Sequence, residues 1–164
     1  MLSRRMILGL SGLACWAAVL FAYFYLERTL YMVPCPLCMM QRLAFGLIGL
    51  AFLLEAGLNP QSALAYRLAR TFSFLSIGFG MALAARHIHI QNLPAGEAPK
   101  CGLDFYGLVE KDWLGGLWQA MQGTGDCATR DLFWGLTLPT WSMMLFVGLL
   151  LIAVLGGKPK LLKP

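Results

Sequence analysis

A chain of 164 residues in which 59% are hydrophobic and only 13% charged is far from the composition of an ordinary soluble domain, and its mean hydropathy is positive. The formal net charge of +5 invites a nucleic-acid partner, but no basic patch is interleaved with aromatics, so no nucleic acid is expected. Internal repeats, a glycine-rich phosphate cradle and a Ser-His-Asp arrangement are absent as well, which leaves one membrane domain over residues 1–164.

Residues 6–26 carry no charge and, at about 1.5 Å per helical residue, can cross a hydrocarbon core roughly 30 Å thick. Arg4-Arg5 ahead of this run resembles the start of a secretory signal, and Leu13-Ala14-Cys15 resembles a lipoprotein cleavage site. The run continues through Trp16 to Leu26, too long for a usual signal core, and no polar mature start follows Cys15, so the helix is expected to stay. Cys15 is then a small packing residue. The uncharged runs 43–54 and 71–85 reach spanning length by taking in polar flanks, which predicts spans at about 36–55 and 69–87. The last uncharged run, 132–155, predicts the fourth. The expected architecture is an all-α membrane protein, a four-transmembrane-helix bundle with outer loops at 27–35 and 88–131 and an inner turn around Asn59-Pro60.

Orientation follows from the cations. Arg4, Arg5, Arg67, Arg70, Lys158, Lys160 and Lys163 fall in three short segments that four spans place on one side. Arg28, Arg42, Arg86, Lys100, Lys111 and Arg130 are spread over the other two segments among most of the acids. The positive-inside rule puts both termini in the cytoplasm and Cys35, Cys38, Cys101 and Cys127 outside, where disulfides persist.

Pro34 and Pro36 bracket Cys35, which predicts extended chain followed by a helix beginning at Cys35-Pro36. Cys38 then falls in the first turn, where free N–H groups and the positive end of the helix dipole favour a thiolate nucleophile. Arg42 shares its face one turn deeper and adds a planar, permanently charged donor near the headgroup boundary. Three readings compete for the cysteines. A redox dithiol fits best. A metal site would draw on the cysteines with His87 and His89, but Cys101 and Cys127 are far apart for a zinc ligand pair. A structural staple is the third reading, set against the tightness of a CxxC loop.

In the long outer segment Pro94, Gly96, Pro99 and Gly102 surround Cys101, while Gly123 and Gly125 precede Cys127, so both are expected in flexible chain. Leu114, Leu117, Trp118 and Met121 recur at helical spacing and suit a short interfacial helix; Gly115-Gly116 keeps open the alternative of an apolar patch on an ordinary loop. His87 and His89 stand at the outer end of the third span as polar interface residues or, for either, with a direct role.

These residues resemble the DsbB family of bacterial inner-membrane thiol oxidases over nearly the whole chain. The likeness rests on four spans, Cys35-Pro-Leu-Cys38 with Arg42, and His87 with Gln91 and Pro94 ahead of Cys101. Gly125-Asp126-Cys127-Ala128 with Arg130, then Gly135-Leu136, Leu138-Pro139 and Trp141, completes it. The family's Cys-Val-Leu-Cys has Pro36 here, and Gln41 stands where an acid can precede the arginine. The resemblance implies a protein-dithiol:quinone oxidoreductase that reoxidises a DsbA-like periplasmic thioredoxin-fold partner and reduces membrane quinone, ubiquinone or menaquinone. It implies that Cys101 is attacked by the partner, that Cys127 is its disulfide mate, and that a transient Cys35–Cys127 link frees Cys38 to meet the quinone. Arg42 would hold a quinone oxygen, with His87 at the other oxygen or in proton delivery. The vitamin K epoxide reductase family shares this chemistry, but its CxxC lies on a later helix. A membrane Cys/His metal-binding or transport module is the alternative of another class, and the first and last spans offer it almost no polar residues.

Overall fold

The computed structural model describes residues 3–57, 63–94 and 97–155; Asn59, Pro60, Gly96, Lys158, Lys160 and Lys163 lie outside them. Helix α1 (Arg4–Phe21) starts at Ser3, whose hydroxyl accepts the Met6 N–H at 3.3 Å. Its last turn, Ala22–Glu27, is wound as a π-helix: the Arg28 N–H reaches back five residues to the Tyr23 carbonyl at 3.2 Å. Helix α2 (Pro36–Gly57) opens with proline at its first position, where the missing N–H costs nothing. Helix α3 (Ala63–Gln91) runs past the expected end at residue 87 and closes where the Asn92 side chain donates to the Ile88 carbonyl at 2.8 Å.

Two short helices follow, α4 (Phe105–Lys111) and α5 (Trp113–Gln122), then a 3₁₀ turn at Gly125–Ala128. The apolar spacing around Trp118 is thus helical. Gly115-Gly116 does not break α5, and Gly116 is required there, since a side chain on it would collide with the Leu108 carbonyl of α4. Leu117 and Met121 pack on the core while Trp113, Leu114 and Trp118 are exposed.

The run 132–155 is not one helix. Leu132–Phe133 (β1) and Leu136–Thr137 (β2) pair antiparallel, and α6 (Leu138–Leu155) begins only after them. Trp134 and Gly135 have φ of 51° and 82°, the signature of a tight two-residue hairpin turn. Among the described residues, four helices are long and apolar enough to cross a membrane: Arg4–Glu27, Pro36–Gly57, Leu64–Gln91 and Leu138–Leu155.

The bundle is antiparallel. Arg4 of α1 pairs with Glu55 near the end of α2, and Glu27 at the other end pairs with Arg42. A Cβ on Gly12 would lie 2.9 Å from the Gly49 carbonyl, and one on Gly49 would lie 2.8 Å from the Trp16 ring, so glycine lets these two backbones touch. Phe146 of α6 stacks on Phe45 of α2 with centroids 4.3 Å apart. Leu37, Ile48, Phe52, Ile77 and Phe146 are fully buried between the helices, while Leu10, Leu13 and Leu20 face outward, as a bundle solvated by lipid requires.

Candidate redox site

Cys35 caps α2. Its carbonyl accepts the Met39 N–H at 3.1 Å and its sulfur accepts the Cys38 N–H at 3.4 Å, as a serine hydroxyl does at other helix starts. The first-turn amide expected to favour a Cys38 thiolate is therefore directed at Cys35. The two sulfurs lie 3.2 Å apart.

His87 is buried against them. Its Nε2 is 3.7 Å from the Cys35 sulfur, and its Nδ1 is 3.1 Å from the side-chain nitrogen of Gln41, itself buried. With the Gln41 amide donating to Nδ1, the ring proton sits on Nε2 and points at Cys35. His89, two residues on, is exposed, so the helix turn separates the two histidines that the sequence left together.

The 3₁₀ turn brings the second pair's buried member to the same place. The Cys127 thiol is fully buried beside Cys35; its interaction with that thiol and desolvation push Cys127 well above its ordinary pKa. At Cys35 the interaction with Cys127 pulls downward, but the hydrogen bond with Cys38, burial and the charge of Cys38 together raise it above its ordinary value. The chain around Cys127 is held rather than loose. Gln91 donates to the Thr129 carbonyl at 2.9 Å, Arg130 donates twice to the Gln91 carbonyl at 2.9 and 2.7 Å, and Arg86 reaches the Gln122 carbonyl at 3.1 Å. The glycines that suggested flexibility permit a tight turn that these side chains then tie to α3. Cys101 is exposed on the irregular segment alongside, where the Gly125 N–H donates to the Lys100 carbonyl at 3.0 Å. All five cysteines are free thiols.

Cys35 and Cys38 stand on the wall of a cavity of about 290 Å³, lined also by Arg42, His87, Gln91 and Trp141 among mostly apolar side chains. A mostly apolar cavity with a few converging polar groups suits a small amphipathic ligand. Arg42 donates through Nη1 to Glu27 at 2.6 Å. Sequence reasoning gave Glu27 no part, since an acid at the end of one span carries no sign of which cation it meets. Gln41 entered only as a departure from a family pattern, and its contact with His87 depends on how α2 and α3 face each other.

The geometry leaves two chemistries open, because the donor atoms of Cys35, Cys38 and His87 all lie within 4.8 Å of one another and suit a soft cation as well as a dithiol. Sequence comparison separates them. The family model for Disulfide bond formation protein DsbB matches residues 4–156. The chain belongs to the DsbB family. DsbB-family relatives named Disulfide bond formation protein B include that of Xanthomonas euvesicatoria pv. vesicatoria, 38% identical over 150 residues, which is 90% of this chain and 87% of the relative. Those of Marinobacter nauticus and Verminephrobacter eiseniae are 37% and 39% identical over 159 residues, covering 94% and 93% of this chain and 90% and 86% of theirs. With its four apolar helices, the chain is a multi-pass membrane protein of the DsbB type that works in disulfide bond formation.

Proposed function

We propose that the protein reoxidises a DsbA-like thioredoxin-fold partner in the bacterial periplasm and passes the electrons to a membrane quinone, ubiquinone or menaquinone. The observation that carries this reading is the line Cys127, Cys35, Cys38, which runs from the turn beside exposed Cys101 into an apolar cavity holding Arg42. The placement of Arg4, Arg5, Arg67 and Arg70 toward the opposite end of the bundle supports cytoplasmic termini in the inner membrane, with the redox cysteines periplasmic.

The exchange balances as follows. A partner thiolate attacks the exposed Cys101 sulfur of a Cys101–Cys127 disulfide and releases Cys127; the partner's second thiolate then displaces Cys101, so the partner leaves oxidised and two electrons stay behind. Cys127, buried beside Cys35, attacks that sulfur of a Cys35–Cys38 disulfide and releases Cys38 as thiolate. Cys101 next attacks Cys127 and restores the loop disulfide, with Cys35 leaving. That departure is assisted on Cys35 by the Cys38 N–H at 3.4 Å and the His87 Nε2–H at 3.7 Å. A quinone in the cavity takes up two electrons and two protons as the Cys35–Cys38 disulfide re-forms. Arg42 offers charge and hydrogen bonds there. At about 4 Å and an effective dielectric near 20 a unit pair is worth roughly 4 kcal/mol before desolvation, enough to matter for an anionic species.

Cysteine variants test the route. Cys101→Ser is expected to abolish mixed disulfides with a reduced DsbA-like protein while leaving the Cys35–Cys38 pair able to reduce a short-tailed ubiquinone. Cys38→Ser is expected to leave the mixed disulfide at Cys101 able to form while removing the Cys35–Cys38 disulfide, and with it the quinone step. Mixed disulfides that form equally well without Cys101 and through Cys38 would reverse the electron path.

A further inference from the structure

We propose that Glu27 is a positioning residue for quinone binding, holding the Arg42 guanidinium so that its free edge faces the cavity; this rests on the reading of Arg42 as a quinone ligand. The carboxylate is 2.6 Å from Arg42 Nη1, and both side chains are largely buried, at 25% and 17% exposure. The other side-chain contact of the guanidinium, Met39 Sδ at 3.6 Å, also engages Nη1. Among the described residues, Nε and Nη2 are therefore left for a ligand, while Arg42 itself lines the cavity and Glu27 does not.

The local winding of α1 puts the acid there. The π-helical turn Ala22–Glu27 spaces its hydrogen bonds five residues apart instead of four, which shifts the register by about one residue and brings Glu27 round to α2. The same turn supplies Ala22 and Leu26 to the cavity wall, so one irregularity shapes the slot and fixes its cation. An arginine with a long flexible stem loses rotamer freedom when it grips a ligand, and a fixed partner removes that loss beforehand. Charge matters too, because the carboxylate balances a guanidinium that is mostly withdrawn from water before any ligand arrives.

The test is equilibrium binding of a short-tailed ubiquinone to the full-length protein in detergent. It is read by quenching of tryptophan fluorescence from Trp134 and Trp141 at the cavity, alongside the quinone concentration for half-maximal reoxidation of a reduced partner. Glu27→Ala is expected to weaken both by about two- to tenfold, with Glu27→Gln nearer the parent because its amide oxygen still accepts from Nη1. Mixed-disulfide formation at Cys101 should not change. The deciding arm is Arg42→Met, alone and with Glu27→Ala: if Glu27 acts through Arg42, adding Glu27→Ala to Arg42→Met changes binding no further. An equal loss in both backgrounds, or parent-like binding by Glu27→Ala beside weakened Arg42→Met, overturns the role of Glu27 and leaves the pair as a staple between α1 and α2. Parent-like binding by Arg42→Met overturns the ligand reading beneath it.

Discussion

Cys35 takes the place that serine or aspartate holds at most helix starts, and this gives one sulfur the Cys38 N–H and the His87 ring as partners, with the buried Cys127 thiol beside it. The consequence is a dependence on pH. In the reduced protein Cys35 and Cys127 both have pKa values raised above the ordinary 9.0. Below that pH folded and unfolded chains alike keep the protons; above it the unfolded chain releases them first, so stability is fully present below 9.0 and is lost progressively as pH rises from there through the raised folded-state values. Thermal unfolding of the reduced protein in detergent should shift to lower temperature as pH is raised past this point, and less so for Cys127→Ser. Equal shifts in the two proteins would remove the buried thiol as the cause.

Between elements, α1 and α2 cross in close contact. Gly12 and Gly49 meet backbone to backbone, and Trp16 lies over Gly49. Overpacking such a site costs about 1–3 kcal/mol. Gly12→Leu and Gly49→Leu should lower thermal stability in detergent by that order and open α1 away from α2, weakening the Glu27–Arg42 pair with it. Gly148→Ala on α6, where nothing lies within 4 Å, is the matched control and should cost nothing. If the control falls as far as the two leucine variants, the crossing carries no special load. At this scale α5 divides the apolar residues read as one stripe, turning Leu117 and Met121 to the core and Trp113, Leu114 and Trp118 outward.

For the whole molecule, the two charge-bearing ends make orientation testable through one residue, since Cys101 is exposed and Cys127 buried. A membrane-impermeant maleimide applied to reduced, intact spheroplasts should label Cys101 without lysis; labelling that requires lysis would falsify the periplasmic placement. Hydropathy alone determined four apolar helices, because each must satisfy its own backbone in lipid and its length is set by the bilayer. Proline, cysteine and arginine spacing determined where α2 begins and which side chains share its first turns. Hydropathy could not separate the Leu132–Thr137 hairpin from the helix after it, because an apolar strand and an apolar helix look alike to an average, and the turn at Trp134-Gly135 is a matter of φ. Nor could spacing foresee that Cys127 would be buried beside Cys35, that Gln41 would meet His87, or that Glu27 would hold Arg42. Each of those pairs joins residues far apart in the chain, and their meeting was decided only when glycine contacts, a π-helical turn and a 3₁₀ turn fixed how the helices face one another.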